Sequence, residues 1–345
     1  MQGAVNRECL VVRNAVGIMD ASTLGKIDIQ GPDAAEFLNR IYTNAWLKLK
    51  PGSCRYGLML GEDGMIMDDG VTTRLADDHF LMTTTTGNAA SVLEWLEEWL
   101  QTEWPELKVF CTSVSEHWAN VTICGPRARN LLAEFTDDIA LDSKSFPFMS
   151  YREGTVGGVS ARVYRISFTG ELSYEINVPA SYALNIWTAL MNAGEKYGIT
   201  PYGTETMHVL RAEKGYIIAG QETDGTTTPD DLGMDWIVSK NKDFIGRRSL
   251  SRDDNMRNDR KQLVGLLPTD PDKVIPEGNQ ITETRLEIPP RGTRIAMIGH
   301  VTSSYYSANL GRSFALALIK DGRGRMGDQV YMPTPNGIIA AEITG

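Results

Sequence analysis

A short unit occurs twice in this chain: an alternating apolar run, a Gly-Pro break, then a helical pattern. The first copy is Gly25-Lys26-Ile27-Asp28-Ile29-Gln30-Gly31-Pro32-Asp33-Ala34-Ala35-Glu36-Phe37-Leu38. The second is Asn120-Val121-Thr122-Ile123-Cys124-Gly125-Pro126-Arg127-Ala128-Arg129-Asn130-Leu131-Leu132. Alternation with period two fits a half-buried strand, and proline suits the first helical turn. Repetition of the unit favours a duplicated or pseudo-symmetric α+β core. Hairpins join the intervening strands, which argues for antiparallel sheets over a doubly wound one.

The stretch Gly61-Glu62-Asp63-Gly64 reads as a tight turn between two apolar arms, Gly57-Leu58-Met59-Leu60 and Met65-Ile66-Met67. The second arm closes on two adjacent carboxylates, Asp68 and Asp69. Strand neighbours point to opposite faces, so one of the pair is expected to turn inward, where a carboxylate needs a partner. That pair is the candidate for chemistry. By spacing alone, an exposed hairpin acid competes as the reading of Asp69.

Elsewhere the pattern predicts a short helix over residues 8–20 ended by Gly17, and strands over 74–86 around a turn at Asp77-Asp78. Residues 91–100 read as a helix with Val92, Leu93, Leu96, Trp99 and Leu100 on one face, followed by a strand over 107–112. Residues 161–178 form two apolar arms around Phe168-Thr169-Gly170-Glu171, with Glu175 inside the second arm. Glu175 is there either as a solvent-facing acid or as a ligand anchor. Helices are expected over 182–193 and 203–214, the latter stopped by Gly215. A long loop over 220–229 and a charged helix or linker over 251–261 follow. From Gln262 onward, short strands alternate with Pro/Gly turns, as in a small β-barrel-like domain.

The chain has 345 residues, enough for two or three domains, and a net charge of −10 that disfavours nucleic acid or an anionic membrane as main partner. It carries neither a membrane-length apolar run nor a charged-then-apolar leader, which points to a cytoplasmic protein. Cys9, Cys54, Cys111 and Cys124 form no Cys-x-x-Cys pair, and His79, His117, His208 and His300 are scattered. Reduced buried thiols without a metal site are therefore expected. Gly322-Arg323-Gly324-Arg325-Met326-Gly327 matches a dinucleotide fingerprint, but strand-like Gln329-Val330-Tyr331-Met332 follows it, so it reads as a turn.

Several stretches together resemble the glycine-cleavage T-protein (aminomethyltransferase) family. They are Met67-Asp68-Asp69, Phe168-Thr169-Gly170-Glu171 with Glu175, Leu210-Arg211-Ala212-Glu213-Lys214-Gly215, Thr227-Thr228-Pro229, Lys242-Asp243-Phe244-Ile245-Gly246 and Ile298-Gly299-His300-Val301-Thr302-Ser303. Their order is the family's, and they span nearly the whole chain. Within the family, the wording of residues 167–175, 299–305 and 310–318 is similar to the C-terminal folate domain of heterotetrameric sarcosine oxidase alpha subunits.

The resemblance implies a three-domain cloverleaf of α+β type around tetrahydrofolate, with a β-barrel-like last domain. It implies a discontinuous first domain (1–25 and 111–215), an inserted ferredoxin-like domain (26–110), and a linker plus barrel (216–345). It makes Asp69 catalytic and Glu175 the pterin anchor, and puts Tyr56, Phe168, Thr169 and Thr73 at the cofactor. Phe168 stands where the family usually has tyrosine, and Met207 where T-proteins have an arginine against the folate tail; Arg211 matches a second, structural arginine. The implied reaction captures the one-carbon unit of oxidised sarcosine as 5,10-methylenetetrahydrofolate. FAD, FMN and NAD would lie outside this chain, on flavin-bearing partner subunits of a hetero-oligomer. A stand-alone aminomethyltransferase, a folate-dependent demethylase and a non-catalytic folate-binding scaffold stay open. The chain also reads as part of a longer alpha subunit.

Overall fold

Gly31 and Gly125, the breaks of the two repeated units, adopt φ of 133° and 118° in the computed structural model, which describes residues 2–286 and 294–345. Neither position tolerates a side chain: a Cβ on Gly31 would lie 2.0 Å from the Lys108 carbonyl oxygen, and one on Gly125 2.4 Å from that of Ala15. The units fold as expected. Strand Gly25–Gln30 leads to helix Ala34–Ile41, and strand Trp118–Cys124 to helix Ala128–Leu132.

The chain divides into two compact units. One takes in the chain up to Leu60, Met67–Met207 and Ser239–Ile245, and contains two sheets. The first sheet has six strands, in the order Ile199–Pro201, Val16–Asp20, Trp118–Cys124, Ser173–Pro179, Val159–Arg165 and Ser150–Val156. Its pairs are antiparallel except Val16–Asp20 with Ile199–Pro201. One face packs Ile123, Val163, Tyr174 and Ile176 against Leu131, Leu132, Ile186 and Leu190 of two helices.

The second sheet has five strands, in the order Cys54–Leu60, Ile66–Ala76, His79–Thr84, Gly25–Gln30 and Phe110–Ser113. Ile27, Ile29, Phe80 and Met82 bury one face against Phe37 and Leu38, and against Val92 and Leu96 of helix Ala89–Thr102. The opposite face shares a smaller cluster with the first sheet, formed by Cys54, Leu81, Tyr151, Tyr164 and Ile166 with Val71 at its margin.

One local expectation is overturned. Residues 8–20 are not a single helix: helix Gln2–Asn14 ends, and Val16–Asp20 is a strand of the first sheet. Gly17 is no helix stop but a point of close approach, where a Cβ would lie 2.5 Å from Val12 Cγ2. A buried strand of five residues offers too short an apolar pattern to separate it from a helical continuation.

The other unit comprises Gly61–Ile66, His208–Val238 and the described part of Gly246–Gly345. Its sheet has six strands, in the order Gln280–Ile281, Gly299–Ser307, Arg312–Lys320, Lys261–Pro268, Gly337–Thr344 and Gln329–Thr334. The two outer strands meet through the Thr282–Tyr331 bridge, whose backbone hydrogen bonds measure 2.8 and 3.0 Å. The strand ring therefore closes around Leu266, Ile281, Ala317, Ile319, Val330 and Met332. The glycine-rich Gly322–Arg325 segment is a short 3-10 turn ahead of a strand.

Candidate functional site

The two aspartates of the hairpin arm diverge as strand alternation requires, and the fully buried one is Asp68. It lies on the helix side of the sheet, where the Thr85 hydroxyl and the Thr85 amide (3.2 Å) both donate to its carboxylate. Burial pushes its carboxyl up, and the Thr85 and Asn88 hydrogen bonds counter that rise.

Asp69 is half-buried on the opposite face, the side of Val71, Thr73 and Leu81. The hydroxyl of Tyr56, on the adjacent strand, donates to Asp69 Oδ2 at 2.6 Å. Loss of hydration raises the Asp69 carboxyl to about 6; the Tyr56 bond lowers it and the neighbouring Asp68 raises it. Burial, and then the Asp69 charge, push the Tyr56 phenol upward, so it remains a donor. This is a carboxylate poised to hold or release a proton near neutral pH.

Glu175 stands opposite Tyr164 and Thr122 in the first sheet, on the face that joins the shared cluster. Asn120 Nδ2 donates to Glu175 Oε2 at 2.7 Å. Among the described residues no donor reaches Oε1. Burial raises the Glu175 carboxyl, while the Asn120 bond and the Lys26 ammonium oppose the rise. Asp69 and Glu175 thus sit on two sheet faces that pack against one cluster.

The remaining expected residues are placed less directly. Thr73 is buried and donates to Cys54 Sγ at 3.1 Å. Thr169 is buried in a turn held by Arg13, whose guanidinium reaches the Thr169 carbonyl at 2.6 Å and Glu171 at 3.1 Å. Phe168 is 37% exposed beside it. Sequence reasoning missed Asn120, Lys26 and Thr85; a polar residue inside an alternating strand was the available signal for the first two.

Motif residues of the second unit gather around a buried ion pair. Arg211 and Glu222, both fully buried, pair at 2.7 Å. Arg211 also donates to Ser303 Oγ (2.7 Å) and the Tyr216 carbonyl (2.9 Å), while Glu222 accepts from Ser303 Oγ at 2.6 Å and Thr302 Oγ1 at 3.1 Å. The pair ties helix Thr204–Ala212 to the Gly299–Ser307 strand.

These folds and motifs define a family. Residues 1–242 match the GCVT N-terminal domain, and residues 261–345 match the glycine cleavage T-protein C-terminal barrel domain. The chain belongs to the glycine cleavage T-protein family. Within it, the chain is 57% identical over 334 residues to a sarcosine oxidase subunit alpha of Corynebacterium sp. (strain P-1), covering 96% of this chain and 34% of that protein. The chain thus spans about a third of that relative's length. It is 31% identical to an aminomethyltransferase of Thermotoga sp. (strain RQ2), covering 97% of this chain and 86% of the relative. The crystal structure of glycine cleavage system aminomethyltransferase T from Bartonella henselae superposes with a TM-score of 0.84 at 26% identity, covering 99% of this chain and 88% of that one. Among the described residues no helix is long and apolar enough to cross a membrane.

Proposed function

We propose that this chain is the folate-dependent one-carbon transfer domain of a sarcosine oxidase alpha subunit. It would capture the methylene unit of an oxidised N-methyl amine as 5,10-methylenetetrahydrofolate. The observation that carries the reading is the half-buried Asp69 carboxylate, raised to about 6 and held by Tyr56 on a face shared with the Glu175 cluster. The 57% identity to a sarcosine oxidase subunit alpha supports the substrate class. Flavin chemistry would belong to the rest of a hetero-oligomer, in the cytoplasm.

The residues suit a pterin. Glu175 offers one carboxylate oxygen fixed by Asn120 and one without a donor among the described residues, which matches the paired N–H donors of a 2-amino-4-oxopterin edge. Tetrahydrofolate, when bound, supplies the nucleophilic nitrogens that accept the one-carbon unit. Asp69 stabilises positive charge developing on the incoming carbon–nitrogen unit and takes up the proton released when the amine attacks. Tyr56 fixes the orientation of that carboxylate. Holding both reactants in place lowers the entropic barrier, by as much as about 7–11 kcal/mol in favourable cases.

The test is Asp69→Asn, with tetrahydrofolate titrated calorimetrically and methylene transfer followed from sarcosine oxidised by the partner subunits. Retained binding with lost transfer is the expected outcome. Unchanged transfer would instead favour a binding scaffold. A stand-alone aminomethyltransferase is the second reading, favoured by the 86% coverage of the Thermotoga relative. Transfer from an aminomethyl-lipoyl donor without partner subunits would select it.

A further inference from the structure

Asn120 is almost wholly buried, yet none of its polar atoms is idle. Its amide nitrogen donates to Ser22 Oγ at 3.0 Å, and its carbonyl accepts from the Ala21 amide at 2.9 Å. Its side-chain Oδ1 accepts from Thr122 Oγ1 at 3.2 Å, while Nδ2 donates to Glu175 Oε2 at 2.7 Å. Turning the amide over would aim Oδ1 at the Glu175 carboxylate, acceptor against acceptor. The Glu175 carboxylate, which only accepts when ionised, therefore selects the orientation in which Asn120 donates, and the Thr122 hydroxyl, directly across from Glu175 in the strand register, steadies it by donating to Oδ1.

The same turn is braced from below. The buried Lys26 ammonium donates to the carbonyls of Ser22 (2.9 Å) and Leu24 (3.0 Å), the turn to which the Asn120 backbone is bonded, and its charge favours ionised Glu175. Among the described residues, Cys54 and Tyr202 also interact with Glu175. Burial pushes the Cys54 thiol up to about 12 and the Tyr202 phenol well up, so both stay neutral at working pH. Lys26 is then the only charged group facing Glu175 among these, and Asn120 the only donor on its carboxylate among the described residues.

We propose that Asn120, steadied by Thr122, is a positioning residue that fixes one oxygen of Glu175 and presents its other oxygen to the ligand. The inference rests on the reading of Glu175 as the pterin anchor. An Asn donor on this carboxylate governs affinity and its pH range, and leaves the transfer step to Asp69.

The experiment titrates tetrahydrofolate, kept reduced, into the whole chain from pH 5.5 to 8.5, with thermal melts alongside. Wild type, Asn120→Leu, Asn120→Asp, Thr122→Val and Glu175→Gln are compared. A lost hydrogen bond to a charged group predicts roughly tenfold or greater weakening for Asn120→Leu at pH 8, with the acid limit of binding shifted to higher pH by about one unit. Asn120→Asp, nearly isosteric, shifts that limit the same way by placing a second carboxylate beside the first. Thr122→Val gives a smaller shift in the same direction and serves if the Asn120 variants fail to fold. Weakening that is equal at every pH, or no weakening while Glu175→Gln abolishes binding, would overturn the positioning role. If Glu175→Gln itself binds like wild type, the anchor reading is what fails.

Discussion

The Tyr56 hydroxyl lies 2.6 Å from Asp69 Oδ2, across neighbouring strands of one sheet. Asp68, one residue earlier, accepts from both the hydroxyl and the amide of Thr85. Asp69 takes the Tyr56 phenol. Loss of hydration outweighs that bond and raises the Asp69 carboxyl to about 6.

Removing the phenol should show in the pH dependence of transfer. In Tyr56→Phe, loss of a bond to a charged acceptor raises the Asp69 carboxyl further, by about one to two units. The acid limb of the pH–rate profile for methylene transfer should move from near 6 in the wild type to higher pH by a like amount. A limb that stays in place would show that another group controls it.

Asp69 should also tax stability above its own titration. Its folded value of about 6 lies above the ordinary carboxylate value near 3.8, so between these the folded chain holds the extra proton. Stability contributed by that proton is present at low pH and is lost as pH rises through about 6. Asp69→Asn removes this loss while keeping an acceptor for Tyr56. Its Tm should match wild type near pH 4 and exceed it above pH 6, a gap that melts across this range would reveal.

Gly70, beside the catalytic candidate, admits the neighbouring strand. A Cβ there would lie 2.0 Å from the Thr83 carbonyl oxygen, while Thr83 Oγ1 bonds both the amide and carbonyl of Val71. Gly70→Ala must push the strands apart, at a cost of about 1–3 kcal/mol in urea unfolding. It should slow transfer as well, because the same shift displaces Asp69.

In the second unit, Arg211→Met strands the buried Glu222 carboxylate. Breaking such a pair on one side typically costs about 3–5 kcal/mol. Adding Glu222→Leu should return much of that loss, since a buried ion pair gains little over apolar packing. A denaturant double-mutant cycle measures the coupling; a double variant as unstable as the sum of the two singles would refute it.

The parts of the fold that were readable in sequence are those where one residue type answers one backbone need. Gly31 and Gly125 announced their turns because only glycine suits those angles and those close carbonyls. Alternation in residues 66–76 put Asp68 and Asp69 on opposite faces, while Glu175 in residues 173–179 stayed open between solvent and ligand. It could not say which of two adjacent acids is fully buried, since Thr85 comes from a separate strand end. Asn120 and Lys26 stood out only as polar residues inside alternating strands; strand pattern gives a face, and only register and turn geometry give the neighbour. Family resemblance supplied Tyr56, which no periodicity singles out.

Among the described residues, the Thr282–Tyr331 bridge joins the two outer strands of the last sheet and covers part of each one's border. An unpaired strand border is what foreign chains recruit when they aggregate or exchange segments. With this one short seam the lobe narrows the border open to such capture, and the seam is where hydrogen exchange should first betray its breathing.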